Sequence, residues 1–212
     1  MIFKTVCLLL MVNHTLAFSV LESICFYRDF KPFGRTYLCS VTSTIHDSEG
    51  IGFLASVATH TDGARNFDVS AFRIVSRREV STIPTNLGSL FINLKILVCF
   101  ETSLRTISAK DLKQFQKLEL LDLSGNYLVN LDGDLFKSTP NMKYIFFRSN
   151  SLHKIDENLL DSLKKLEWAD FRWNPCVDFF GVFGRRDANE LKKKFKKNCS
   201  LSMFNDQQMT RV

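Results

Sequence analysis

The chain has 212 residues, 45% of them hydrophobic and 24% charged, which excludes global disorder and fibrous or low-complexity architectures. Its formal charge of +6 is concentrated in the tail, where Arg185, Arg186, Lys192, Lys193, Lys194, Lys196, Lys197 and Arg211 outnumber Asp187, Glu190 and Asp206. Phe is abundant at 20 while Gly (9) and Pro (4) are scarce, so no flexible linker divides the chain.

Residues 1–17 read as a secretory signal. Lys4 supplies the basic start, Val6 to Val12 a short apolar run, and Thr15-Leu16-Ala17 a small-residue cleavage site. That run is shorter than the roughly 20 residues needed to span a bilayer, and no later stretch is long enough to span either, Ile51 to Ala58 being interrupted and short, so a secreted, extracellular product without a transmembrane segment is predicted. Cleavage removes Cys7 and leaves Cys25, Cys39, Cys99, Cys176 and Cys199. With no C-x-x-C pair and no His cluster, a metal site has no support, and an exported chain favours disulfides. The local pairing is Cys25 with Cys39 and Cys176 with Cys199. Closing the first loop stabilises by about 3 kcal/mol in the chain-entropy model. Cys99 is left over and reads as a buried thiol.

Residues 18–69 form an N-terminal flank. In Thr36 to His46, Tyr37, Cys39, Val41 and Ile45 alternate with mostly Ser and Thr, which predicts a strand. Asp47 to Gly50 reads as a turn, Ile51 to His60 as a second strand, and Thr61 to Ala64 as another turn. The disulfide would pin the segment before the first strand onto it, giving a small β cap.

Residues 70–175 repeat. Leu118, Leu121, Leu123, Asn126, Leu128 and Leu131 fit L-x-x-L-x-L-x-x-N-x-L. Steps of 24 residues reach Met142, with Ile145, Phe147, Asn150, Leu152 and Ile155, then Leu166, with Ala169, Phe171 and Asn174. One step back gives Leu94, Leu97, Cys99, Leu104 and Ile107, with Thr102 in the Asn slot. A further step is degenerate: Val75, Val80 and Ile83 fit, but Ser70 and Arg73 stand where apolar residues belong. Leu112, Phe115, Phe136, Leu160 and Leu163 supply apolar residues to the return segments. Each repeat buries its inward leucines only against its neighbours. The Asn side chain can hold backbone groups where the chain leaves the strand.

Residues 176–212 close the stack. Cys176 takes the slot of Leu128 and Leu152, Phe179, Phe180, Val182 and Phe183 are available to cover the last repeat, and Asp187 to Asn198 is predicted helical with Leu191 and Phe195 inward. The tail after Ser200 is polar.

The repeats, the Asn174-Pro-Cys176 ending and the later Cys199 resemble extracellular leucine-rich repeat proteins of the Toll, Slit and small proteoglycan kind. The block from Cys25 through Tyr37-Leu-Cys39 to Asp68-Val69 resembles small secreted repeat proteins of insects. The terminal cap departs from the family in having two cysteines rather than the frequent four. The fold implied is α/β, a short leucine-rich repeat solenoid with a parallel sheet on its concave face, an N-terminal β cap and a C-terminal helical cap. The resemblance implies binding of proteins or glycans in immunity, adhesion or development.

In such a solenoid the strand positions between the core residues face the concave side. Read in steps of 24, these are Phe72, Ile96, Leu120, Tyr144 and Trp168; then Ile74, Val98, Asp122, Phe146 and Asp170; then Ser76, Phe100, Ser124, Arg148 and Arg172. An exposed apolar stripe with aromatics and arginines marks an interaction site. Phe72, Ile96, Val98, Phe100, Leu120, Tyr144, Phe146, Arg148, Trp168 and Arg172 are therefore the candidate contacts for an extracellular protein or a second copy of the chain. The plainer alternative is that the N-terminal flank or phenylalanine-rich loops cover this stripe. Lys192, Lys193, Lys194, Lys196 and Lys197 are candidates for an anionic glycan, an anionic membrane or an acidic protein. Their plain alternative is the solvated face of the capping helix. Asn198-Cys-Ser200 is a glycosylation sequon with a predicted disulfide at its centre.

Nothing points to catalysis, a cofactor or nucleic acid: there is no H-E-x-x-H, G-x-S-x-G or phosphate loop. The histidines at 46, 60 and 153 are scattered, and a turn accounts for His60 beside Asp62. The function expected is a secreted, non-enzymatic module recognising a protein through its concave face. The alternative is a matrix or cell-surface component holding anionic glycans through the basic helix.

Overall fold

The computed structural model describes residues 18–46, 53–182 and 185–200. The proposed signal, the 47–50 turn, Phe183 and the polar tail lie outside these residues. A long hairpin of β1 (Phe18–Phe30) and β2 (Gly34–His46) is followed by β3 (Phe53–His60), which returns parallel to β1. β4 (Ala71–Val75), β5 (Ile96–Phe100), β6 (Leu120–Asp122), β8 (Tyr144–Phe146) and β10 (Trp168–Asp170) then add in parallel. β11 (Phe180–Val182) closes the sheet antiparallel, giving the order β11-β10-β8-β6-β5-β4-β2-β1-β3. A second sheet of β7 (Asn130–Leu131) and β9 (Lys154–Ile155) adds Leu131 and Ile155 to the same core. Two short helices, α1 (Leu87–Leu90) and α2 (Ala109–Leu112), occupy return segments. The result is the expected short solenoid, with β1 as a strand that the sequence reading leaves out.

Three asparagines tie successive turns together. Asn150 Nδ2 donates to the Phe147 carbonyl of its own turn and to the Leu123 carbonyl of the preceding one, both at 3.0 Å. Its Oδ1 accepts from the Leu128 amide at 3.0 Å. Asn126 and Asn174 repeat the pattern, reaching Cys99 and Leu123, and Phe147 and Phe171. In the first regular copy Thr102 does not reach back; it donates to Asn126 Oδ1 at 2.6 Å.

Beside this ladder runs a row of left-handed residues: Ser76, Glu101, Gly125, Ser149 and Trp173, with φ between 53° and 70°. The conformation turns each amide toward the next strand, so Ser76, Glu101, Gly125 and Ser149 donate to the carbonyls of Phe100, Ser124, Arg148 and Arg172. At Gly125 a Cβ would lie 2.9 Å from Glu101 Cγ, so glycine serves both the turn and the close approach there. After Trp173 the antiparallel β11 takes the place of a further parallel strand, and the Trp173 amide donates to Asp178 Oδ1 at 3.1 Å. Charges keep the same period: Glu119 pairs with Lys95 at 3.4 Å and Lys143 at 2.8 Å. Burial alone would raise the Glu119 carboxyl, and the two ammonium groups overcome this and hold it below its ordinary value.

The first copy corrects the 24-residue step. Ala71 lies beside Ile96 and Phe72 beside Leu97, an offset of 25. A slip of one residue sends every strand side chain to the opposite face. Phe72 and Ile74, expected on the concave side, are fully buried in the core, with Phe72 5.5 Å from Phe91.

Many of the phenylalanines form a spine through the last turns. Phe147 stacks on Phe171 at 5.5 Å, Phe136 meets Phe147 edge-on, and Phe195 of α3 (Arg185–Asn198) meets Phe171 at 5.4 Å. Leu191 and Phe195 are fully buried, as the i, i+4 spacing predicts. Both expected disulfides, Cys25–Cys39 and Cys176–Cys199, are present, and Cys99 is free and buried. Burial pushes the Cys99 thiol up, which keeps it protonated and inert.

Replacing Asn150 by Leu strands the buried Leu128 amide, at about 1–3 kcal/mol when unsatisfied, while the Leu123 and Phe147 carbonyls each keep a donor from Asn126 and Asn174. Urea unfolding of Asn150→Leu should show a loss of about 1–3 kcal/mol. A loss below about 1 kcal/mol would contradict the role given to the ladder.

Candidate functional site

Register fixes the concave side. One row across the strands reads Leu38, Ala71, Ile96, Leu120, Tyr144 and Trp168, and the next Ser40, Arg73, Val98, Asp122, Phe146 and Asp170. The first row continues the apolar ladder expected from sequence, but most of it does not face water. The β1–β2 hairpin folds over it, so Phe26, Phe30 and Phe33 pack on Leu38, Ile96, Val98 and Leu120. Ile96, Val98 and Leu120 are 1%, 6% and 5% exposed. Together with the core residue Phe72 they are corrected from exposed contact residues to interior ones. The hairpin reaches as far as Tyr144, whose ring meets Phe33 edge-on at 5.7 Å.

The covering is anchored at the base of the cap. His60, which the sequence places beside a turn, is half-buried: Nε2 lies 2.7 Å from Asn66 Oδ1 and Nδ1 3.3 Å from the Tyr37 hydroxyl. Tyr37 in turn is held against Thr61 and Cys25. This links β2, β3 and the turn into the repeats, so His60 serves structure.

Beyond the hairpin the concave side stays open. Arg148, Trp168 and Arg172 are half-buried and come together there, while Tyr144 and Phe146, also half-buried, pack with Phe100 against the covered patch. Arg172 is fixed by a fork onto Asp170, with Nε 3.0 Å from Oδ1 and Nη2 2.6 Å from Oδ2. The Tyr144 hydroxyl donates to Glu167, which pushes the phenol up to about 12. Two residues absent from the expected set complete the platform: Trp173, 61% exposed, and Phe180, 53% exposed. Arg148 lies 4.7 Å over the Trp173 ring and Arg172 4.3 Å over Phe180, which itself sits 6.2 Å from Trp168. Of the residues expected to cover the last repeat, Phe179 packs against the core, joined by Val177, while Phe180 points outward. The left-handed slot that aims Trp173 has no hydrophobic signature, which is why the repeat pattern does not reveal it.

Trp173 holds a conformation that costs a bulky residue of the order of 1–3 kcal/mol. Earlier turns fill the same slot with Ser, Glu, Gly and Ser. Strain combined with exposure singles out this indole as one the fold does not need.

The basic helix is less free than its sequence implies. Lys192 pairs with Asp161, Lys194 with Glu190 at 3.4 Å and Lys196 with Glu157 at 3.2 Å; Lys193 and Lys197 stand outside these pairs. The sequon's central Cys199 lies in the disulfide. Among the described residues no group of three or more His, Cys, Asp or Glu could hold a metal ion.

Two outcomes follow from this geometry. Phe30→Ser combined with Phe33→Ser should uncover Ile96, Val98 and Leu120 and raise binding of the dye ANS; unchanged fluorescence would show that the hairpin is not the cover. Trp173→Gly should leave stability unchanged or higher by up to about 1 kcal/mol in thermal unfolding, since glycine adopts this φ freely. A loss beyond about 1 kcal/mol would assign the indole to the fold.

A leucine rich repeat family model matches residues 116–175. Toll-like receptor 2 of the horse, Equus caballus, is 30% identical over 112 residues, which is 52% of this chain and 14% of that receptor. Human leucine-rich repeats and immunoglobulin-like domains protein 3 is 33% identical over 89 residues, 42% of this chain and 8% of that protein. Among solved structures, the leucine-rich repeat domain of APL1B has a TM-score of 0.44 at 18% identity, covering 51% of this chain and 31% of that one. A Drosophila Toll–Spatzle complex scores 0.41 at 20% identity, covering 61% and 15%. The chain thus spans a small part of the length of these curated relatives. With the repeat geometry above, residues 116–175 form a leucine rich repeat array similar to that of Toll-like receptor 2.

Proposed function

We propose that the protein is a secreted, non-enzymatic recognition module that binds a protein partner through the distal half of its concave face. The observation that carries this reading is the open cluster of Trp168, Trp173 and Phe180 interleaved with Arg148 and Arg172. Aromatic rings and arginines supply large contact area and directional charge with little side-chain freedom to lose, which is the composition of binding hot spots. The strained Trp173 adds weight, because strain retained at an exposed site has no structural return.

Export is supported by two disulfides and by the absence, among the described residues, of any helix long and apolar enough to cross a membrane. One matched relative is by name a receptor, which agrees with a recognition role. Attraction of anionic glycans to the capping helix is the weaker reading, since acids already engage Lys192, Lys194 and Lys196.

A photo-crosslinking residue placed at position 173 or 180 should give protein adducts in extracellular fluid. The same residue at exposed Ile92, outside the platform, should give none. Adducts at 92 equal to those at 173 and 180, or none at either platform position, would overturn the reading.

A further inference from the structure

The hairpin does not lie flush on the sheet along its whole length. Beside its tip a cleft of about 370 Å³ opens between Arg28, Phe30 and Lys31 on one side and Arg73, Val98 and Phe100 on the other. That volume falls within the range of small-ligand sites, roughly 300–1,000 Å³.

The cleft combines apolar walls with converging cations. Among the described residues, no carboxylate lies within 4 Å of the side-chain nitrogens of Arg28, Lys31 or Arg73. Burial and the like charge of Arg28 hold Arg73 below its ordinary value, and the attraction of Asp122, which lines the same cleft, offsets only part of this. Two carboxylates also line it. Asp29 is exposed on the tip, while Asp122 is engaged by the Ser124 amide at 2.9 Å and attracted by Arg148. Arg28 and Arg73, neither in an ion pair among the described residues, line one cleft with Phe30, Val75 and Phe100, a place that one anionic oxygen pair would fill.

We propose that this cleft binds a small carboxylic acid with an apolar body, its carboxylate between Arg28 and Arg73 and its body against Phe30 and Phe100. The site is separate from the Trp173 platform and does not rest on the protein-binding reading.

Titration with phenylbutyrate, followed by amide chemical shifts, tests it. The expected result is saturable binding with shifts at Val98 and Phe100. Acetate and phenylbutanol, which carry the charge or the body alone, should each bind at least about tenfold more weakly. Arg28→Gln and Arg73→Gln should each weaken phenylbutyrate by about tenfold. Arg28 is exposed, so its variant keeps the test valid if Arg73→Gln disturbs folding. Equal binding of acetate or of phenylbutanol, unchanged affinity in Arg28→Gln, or no saturable binding would overturn the proposal.

Discussion

Everything in this molecule depends on how one turn of chain is bound to the next, and that is done by an amide side chain acting as a backbone substitute. At the end of each short strand the chain turns out of the sheet, leaving carbonyls and an amide inside the wall where water cannot reach. An asparagine has two donors and an acceptor on one rigid plane, enough to satisfy groups from two successive turns at once. Asn126, Asn150 and Asn174 therefore fix both the shape of a turn and the spacing of its neighbour. The leucines fill the interior that this spacing creates. Hydrophobic burial drives the stacking, and the amides set its register.

This division explains what could be read from the sequence. Leu118 to Leu131 and their copies display their period openly, because core residues and the Asn slot are chemically constrained, so the array and its inward residues were legible. Both disulfides followed from proximity in the chain. Three other features left no such trace. One added residue before Val80 moved Phe72 and Ile74 inward, and a fixed step carries no information about a single insertion. β1 shows no clear alternation because it carries apolar residues on both faces: Leu21 and Cys25 face the core, Phe26 and Phe30 pack on the concave patch, and Ile24 is exposed. Trp173 and Phe180 are placed by a left-handed turn and an antiparallel closing strand, and neither belongs to the repeat.

The concave face consequently has two chemistries. Its proximal part is an internal seam, where apolar side chains of the sheet meet phenylalanines from the hairpin. Its distal part is an open platform of indoles, a phenyl ring and guanidiniums, with Arg172 locked by Asp170 and aimed at Phe180. Beside the seam, over β4, β5 and β6, lies the arginine-lined cleft at the hairpin tip. A single apolar stripe in the sequence thus becomes a covered region, a polar-edged gap and an exposed surface.

The hairpin also acts as a ruler. Its length is set by its own strands, and from its base it reaches as far as Tyr144. Strands within that reach are sheltered whatever side chains they carry; those beyond it meet solvent. The amount of concave surface on display is therefore the difference between two independently variable lengths, the arm and the array. A turn added after β8 would enlarge the platform without disturbing the seam, and a longer arm would conceal it with no change in the repeats. The boundary between hidden and presented surface is drawn by the cap, a part of the chain that contains no repeat at all.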